Sequence, residues 1–197
     1  PYLLPHIMPT LSRELPKMQF YLHENQTDVL IEQLRSGRLD VLILPWLDSM
    51  EGLVRHDLFN EPLVLAMPEK HKLASQNTTR MEQLEGEQVL VLEQGHCLRE
   101  QSLGYCFAAG ADEDKRFKAT SLETLRHMVA GGLGITLLPQ LAVGDAHAVS
   151  GIAYRPFENP APHRKIALVT RPQFPRQQCL QVIQQSIQQA AGSLLVS

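Results

Sequence analysis

Apolar residues along this 197-residue chain recur with two periods, and the changes between them mark out its elements. Leu3, Leu4, Ile7, Met8, Leu11 and Leu15 fall on one helical face, where Pro5 and Pro9 are expected to confine the regular part to Thr10 onward or to kink it. Residues 19–24 alternate like a strand. Gln26 or Thr27 opens a second helix through Ser36, with Val29, Leu30, Ile31 and Leu34 apolar and Gly37 ending it. The nearly unbroken run 39–44 predicts a strand covered on both faces. Further strands are expected over 63–67, 89–92, 117–119, 135–139, 152–155 and 165–170. Few breakers other than Gly104 interrupt 98–107, which predicts a short helix or helical turn. Ser121 caps a helix to Ala130, and a last helix over 177–191 buries Leu180, Val182, Ile183 and Ile187.

Strands alternating with helices predict an α/β fold with largely parallel sheets. Asn60-Glu61-Pro62 and the proline-rich stretch 156–162 read as two crossings between lobes. A net charge of −3 offers no general attraction to DNA or to an anionic membrane. No apolar run approaches the roughly 20 residues that span a bilayer. The start at Pro1, with no initiator Met and no signal-peptide pattern, reads as a piece of a longer chain. Three cysteines do not form a secreted disulfide framework, so a reducing, intracellular compartment is expected, with any disulfide regulatory or catalytic.

Two of those cysteines lie in Glu93-Gln94-Gly95-His96-Cys97-Leu98-Arg99 and its continuation to Cys106. Cys97 follows an imidazole and precedes a guanidinium by two places, a setting in which a thiol is more readily ionised and attacks peroxides and disulfides. Gly95 predicts a turn that presents the segment to small solutes. Core packing is the alternative, since free cysteine usually behaves as a small buried hydrophobe. If the segment is helical, nine residues rise about 13.5 Å, whereas a disulfide needs Cα atoms roughly 4.4–6.8 Å apart. Cys97 and Cys106 then pair only if the helix is dismantled.

Other signals are weaker. The eight histidines give no ligand spacing beside a cysteine pair and there is no CxxC, so no metal or cofactor is expected. Gly132-x-Gly134 follows a helix and reads as a tight turn. No nucleophile elbow or P-loop is present. Lys70-His71-Lys72 and the charged run 112–116 read as solvated loops. Cys179 reads as a core thiol of the last helix. Thr27 is either a helix N-cap or a hydroxyl of a small polar pocket facing Cys97.

The segment from Gly95 to Cys106, then Ala109-Gly110-Ala111-Asp112-Glu113-Asp114, resembles the peroxide-sensing regulators of the LysR type. So do Ala119-Thr120-Ser121-Leu122-Glu123-Thr124-Leu125-Arg126, Gly134-Ile135-Thr136-Leu137-Leu138-Pro139 and the opening Pro1-Tyr2-Leu3-Leu4-Pro5-His6-Ile7. The resemblance runs from residue 1 to about 190 and is weakest over 45–85 and beyond 140. It implies a two-lobed, periplasmic-binding-protein-like (type II) α/β regulatory domain. Lobe I is 1–61 with 167–197, and lobe II is 62–166, carrying the redox cysteines.

By the same resemblance Cys97 is the peroxidatic thiol, oxidised to a sulfenic acid, and Cys106 the resolving thiol that condenses with it. Thr27 and His96 are expected to hold hydrogen peroxide by hydrogen bonds, and Arg99 to stabilise the thiolate or the pocket. Arg164 is expected to support the reduced fold. The implied partners are hydrogen peroxide, a glutaredoxin- or thioredoxin-type reductant, further copies of the chain as dimer or tetramer, and DNA, all in the cytoplasm and with no membrane. DNA contact is expected only through a winged helix-turn-helix that would precede Pro1, together with a second pocket threonine, so this stretch alone is expected to bind no specific DNA and to react less with peroxide. It is expected to act as a sensor and not as an enzyme. Two rivals remain: a LysR-type domain that senses a small organic effector in its cleft, and a thiol peroxidase with rapid turnover.

Overall fold

The computed structural model describes residues 2–144 and 149–196. The chain divides into two compact units, Pro1–Glu61 with Lys165–Ser197, and Pro62–Arg164. The return crossing thus falls at 164/165 and not at the expected 166/167. It lies inside a continuous strand, so no turn residue marks it.

The first unit is built on β1 (Val41–Pro45) paired antiparallel with β7 (His163–Thr170), in register from Val41↔Thr170 to Pro45↔Ile166. Alternation along β7 feeds two cores. Ile166 and Leu168 join Ile7, Leu11, Leu180 and Ile187 from α1 (Leu4–Glu14) and α5 (Gln177–Val196), while Ala167 and Val169 join Ile31 and Leu34 from α2 (Thr27–Arg35). Both faces are covered, which is why β1 reads as an unbroken apolar run.

Three expectations need correction here. α1 begins at Leu4, not Thr10, because Pro5 occupies the first turn, where no N–H is needed, and the helix carries on through Pro9. Residues 19–24 form no strand: they have no partner ladder, and Tyr21 and Leu22 are exposed. Thr27 is the first residue of α2 while Gln26 occupies the cap position, so capping does not account for its hydroxyl.

In the second unit, β2 (Val54–Pro68), which begins in the first unit, buries Leu63 to Met67 in succession. It pairs antiparallel with β5 (Thr136–Pro139), from Leu63↔Pro139 to Ala66↔Thr136, and with β6 (Ile152–Pro156), from Val64↔Pro156 to Pro68↔Ile152. The expected strand over 63–67 is therefore the second half of a longer one. The expectation of largely parallel sheets also needs correction, since these ladders and β1·β7 are antiparallel. Parallel pairing is seen, among the described residues, between β3 (Gln88–Val89) and β4 (Asp112–Glu113) and at the bridges Thr79↔Phe157, Val89↔Ile135 and Leu92↔Ala119. Alternating helices and strands do not by themselves specify direction when chain returns place strands head to tail.

Segment 88–93 is the spine of this unit. Leu90 N–H donates to Ile135 O, Glu93 N–H to Ala119 O, and the Thr136 hydroxyl to Leu90 O at 2.7 Å. Val89, Leu90, Val91 and Leu92 are all buried. α4 (Leu122–Ala130) begins as expected at Ser121, whose hydroxyl accepts from Thr124 N–H. The two charge clusters are less solvated than expected. Lys72 Nζ lies 2.7 Å and His71 Nε2 3.5 Å from Glu87; burial opposes ionisation there, but this pairing holds the carboxyl below its ordinary range. Asp114 is only 2% exposed, and Arg116, 2.7 Å away, holds its carboxyl low.

Gly132, at φ +78°, makes the expected turn, whereas Gly134 serves close packing: a Cβ there would lie 3.0 Å from Leu90 Cγ and 3.1 Å from Gln88 O. The neighbour on one side is backbone of the spine. Gly134→Ala is therefore expected to destabilise the reduced chain by about 1–3 kcal/mol, measured by urea unfolding. An unchanged transition would show that β5 is free to shift.

Candidate redox site

After Leu92 the spine turns at Gly95, whose φ of +94° is a conformation few other residues adopt. His96 is the N-cap of α3 (Cys97–Ala108), so Cys97 is the first helical residue. The first turn of a helix has backbone N–H groups without intrahelical acceptors and favours negative charge. α3 continues through both cysteines without a break. It ends where Ala109 N–H and Ala111 N–H both donate to Cys106 O, at 3.1 and 3.0 Å.

Leu98, Ser102, Leu103 and Cys106 form the buried face of α3 and pack into the core of the second unit. The two thiols therefore occupy different environments. Both are free, Cys97 half-buried at the helix start and Cys106 at 0% exposure in the core. Burial pushes the Cys106 thiol up to about 12, as expected where the charged form loses its hydration.

Two side-chain contacts fasten α3. Arg99 donates from Nη2 to both carboxylate oxygens of Glu113, at 2.9 Å each, and from Nη1 to Leu92 O at 2.9 Å. The pair is largely buried, with side chains 13% and 11% exposed. The guanidinium is thus already matched by a carboxylate on β4, with Nη2 shared between both oxygens in a charge-assisted contact. Tyr105 donates its hydroxyl hydrogen to His163 O at 3.0 Å, tying the far half of α3 to the start of β7.

His96, Cys97, Arg99 and Cys106 lie on one helix and its cap, with the two cysteines about 13.5 Å apart along its axis. Arg164 is the last residue of the second unit, on β7, and Thr27 belongs to the first unit, where it is buried. Cys179 lies on α5 in the first unit, half-buried and not enclosed as a core thiol would be. Sequence reasoning missed Glu113 and Tyr105. Glu113 stood within a charged run read as solvated, and only the parallel pairing of β3 with β4 carries it to Arg99. Tyr105 gave no signal beyond being aromatic. Among the described residues no group of three or more His, Cys, Asp or Glu is placed to hold a metal ion, and no helix is long and apolar enough to cross a membrane.

The sequence and fold of the chain match a known family. The chain belongs to the LysR substrate binding domain family, whose model matches residues 1–192. Within that family its likeness is to OxyR. It is 53% identical over 175 residues to the DNA-binding transcriptional dual regulator OxyR of Escherichia coli, covering 89% of this chain and 57% of that protein. It is 44% identical over 195 residues to the hydrogen peroxide-inducible genes activator of Haemophilus influenzae, covering 99% and 65%. The chain thus spans about three-fifths of the length of these relatives. Among solved structures, the oxidised form of OxyR matches with a TM-score of 0.87 at 48% identity, covering 98% of this chain and 91% of that one. The reduced form matches with 0.87 at 45% identity, covering 97% and 90%. The fold is accordingly that of the two-lobed regulatory domains of this family.

The raised Cys106 thiol has a consequence for stability. An unfolded thiol ionises near 9.0, whereas the folded one stays protonated to about 12. Its contribution is therefore fully present below about pH 9 and is lost as pH rises toward 12. The stability difference between the reduced chain and Cys106→Ala is expected to shrink over that window, by no more than about 1.4 kcal/mol per pH unit. Denaturant unfolding with reductant present measures it. A difference that stays constant with pH would contradict the buried, protonated thiol.

Proposed function

We propose that this chain is the regulatory domain of a peroxide-responsive transcription activator, and that α3 is its switch. The observation that carries the reading is the pair of free thiols nine residues apart on one unbroken helix. A rise of about 13.5 Å separates them along the axis, far beyond the roughly 4.4–6.8 Å that a disulfide spans between Cα atoms. Joining them requires α3 to unwind, so a chemical event at sulfur becomes a conformational one.

In this mechanism the Cys97 thiolate attacks one oxygen of hydrogen peroxide. The O–O bond breaks, hydroxide leaves and takes up a proton, and Cys97 becomes a sulfenic acid. Once α3 opens, Cys106 sulfur attacks Cys97 sulfur, the S–S bond forms, the S–O bond breaks, and water leaves. Two electrons have passed from the thiols to the peroxide. His96, at the cap beside Cys97, holds the peroxide by a hydrogen bond. Thr27 is assigned the same task on the resemblance, and a mutant Corynebacterium glutamicum OxyR solved with hydrogen peroxide bound, TM-score 0.91 at 26% identity, supports binding at this fold. Arg99 supports the pocket through its hold on Glu113 and Leu92 O, not through a free guanidinium beside sulfur. Arg164, at the crossing, supports the reduced fold.

The refolded segment then changes how copies of the chain associate as dimers or tetramers. It thereby changes DNA binding through a winged helix-turn-helix of the longer protein, in the cytoplasm. A glutaredoxin- or thioredoxin-type dithiol restores the helix by thiol exchange. The protein consumes one oxidant per cycle as a sensor and does not turn over as an enzyme. The competing reading, a small organic effector, is favoured by the family description as a substrate binding domain. It gives the two thiols on α3 no role.

Stoichiometric hydrogen peroxide is expected to remove two hydrogens from the intact mass, with peptide mapping placing the bond between Cys97 and Cys106 and leaving Cys179 free. Cys97→Ser is expected to abolish the change. Cys106→Ser is expected to stop at a sulfenic acid that dimedone traps. Thiols that stay free under peroxide, with Trp46 fluorescence shifting on a small organic ligand instead, would replace this reading with the effector one.

A further inference from the structure

Gly104 has no steric reason to be glycine. It lies inside α3, between the two thiols, with a helical backbone and no positive φ. It is exposed, and a Cβ built on it meets nothing within 4 Å. Glycine within a helix is otherwise a plain loss, because it gives up more backbone entropy than any other residue. The same stretch carries two further weaknesses. Ser102 Oγ and Gln101 Oε1 are buried with no hydrogen-bond partner among the described residues. Arg99 and Tyr105 fasten α3 on either side of residues 101–104, so Gly104 lies in the stretch between the helix's two side-chain anchors.

We propose that Gly104 sets the redox set-point of the Cys97–Cys106 couple by keeping α3 only marginally helical. The inference rests on the switch reading above. Any residue at 104 that favours helix stabilises the dithiol form, in which α3 is intact, and leaves the disulfide form, in which it is open, without that gain. If the open form uses a positive φ at this position, a side chain there opposes it as well, so both effects have one sign. The dithiol–disulfide equilibrium of the switch is then tuned at a position where a side chain would meet nothing within 4 Å.

The test is redox equilibration of the 197-residue chain in glutathione buffers, where one oxidised glutathione takes two electrons and two protons from the dithiol and leaves as two reduced glutathiones. Gly104→Ala is expected to shift this equilibrium about fivefold toward the dithiol, or about 20 mV more positive at 29.6 mV per tenfold change for two electrons. Gly104→Ser is expected to fall between glycine and alanine, following helix propensity. Urea unfolding of the reduced forms verifies that each variant folds. A midpoint that is unchanged or more negative in folded Ala and Ser variants overturns the role of Gly104 while leaving the switch intact. A parent chain that forms no Cys97–Cys106 bond in any buffer overturns the switch and this inference together.

Discussion

An α-helix advances about 1.5 Å per residue whatever its sequence, and a disulfide tolerates little variation in the distance it spans. α3 sets these two constraints against each other. With Cys97 at its first residue and Cys106 in its last full turn, the helix keeps apart the two sulfurs that the proposed switch joins. The rest of the second unit follows from keeping that helix intact while the thiols are reduced. The spine 88–93 delivers the chain to the helix start, β4 brings back the carboxylate that matches Arg99, and the core receives Cys106 as a neutral thiol.

The balance is a close one. Leu98, Leu103 and Cys106 bury apolar surface against the core, and the largely buried Arg99–Glu113 pair holds the first turn. Against these stand a glycine in mid-helix and buried polar atoms of Ser102 and Gln101 without partners among the described residues. A structural helix would gain from filling those gaps. A helix that must open in response to one bond is better served by leaving them. The asymmetry of the thiols has the same logic in the proposed switch: the half-buried one at the helix start meets peroxide, and the fully buried one becomes available when the helix yields.

Much of this was legible in the sequence, and the parts that were not have a common cause. Helical periodicity located α2, α3, α4 and α5, and Ser121 and Gly37 marked helix ends by the hydrogen-bonding and φ requirements they satisfy. The His-Cys-x-Arg segment and the nine-residue spacing singled out the candidate site from the sequence alone. What failed depended on partners distant in sequence. Residues 19–24 alternate as a strand does but have no ladder to join, and strand direction was misread because it is set by where the chain returns. Glu113 looked like one charge among several, because a charged run shows no sign of which member a parallel strand pair will carry inward. Gly104 was visible throughout as a possible breaker, but only the open space around it distinguishes a glycine required by packing from one that weakens its helix.

The central claim is that α3 cannot persist once Cys97 and Cys106 are joined. Amide hydrogen exchange across 97–108, compared between the reduced chain and the chain with that disulfide verified by mass, tests it most directly. The account predicts protection in the reduced helix that is lost on oxidation, while α4 in the same unit keeps its protection. A verified Cys97–Cys106 bond with protection of α3 unchanged would contradict it.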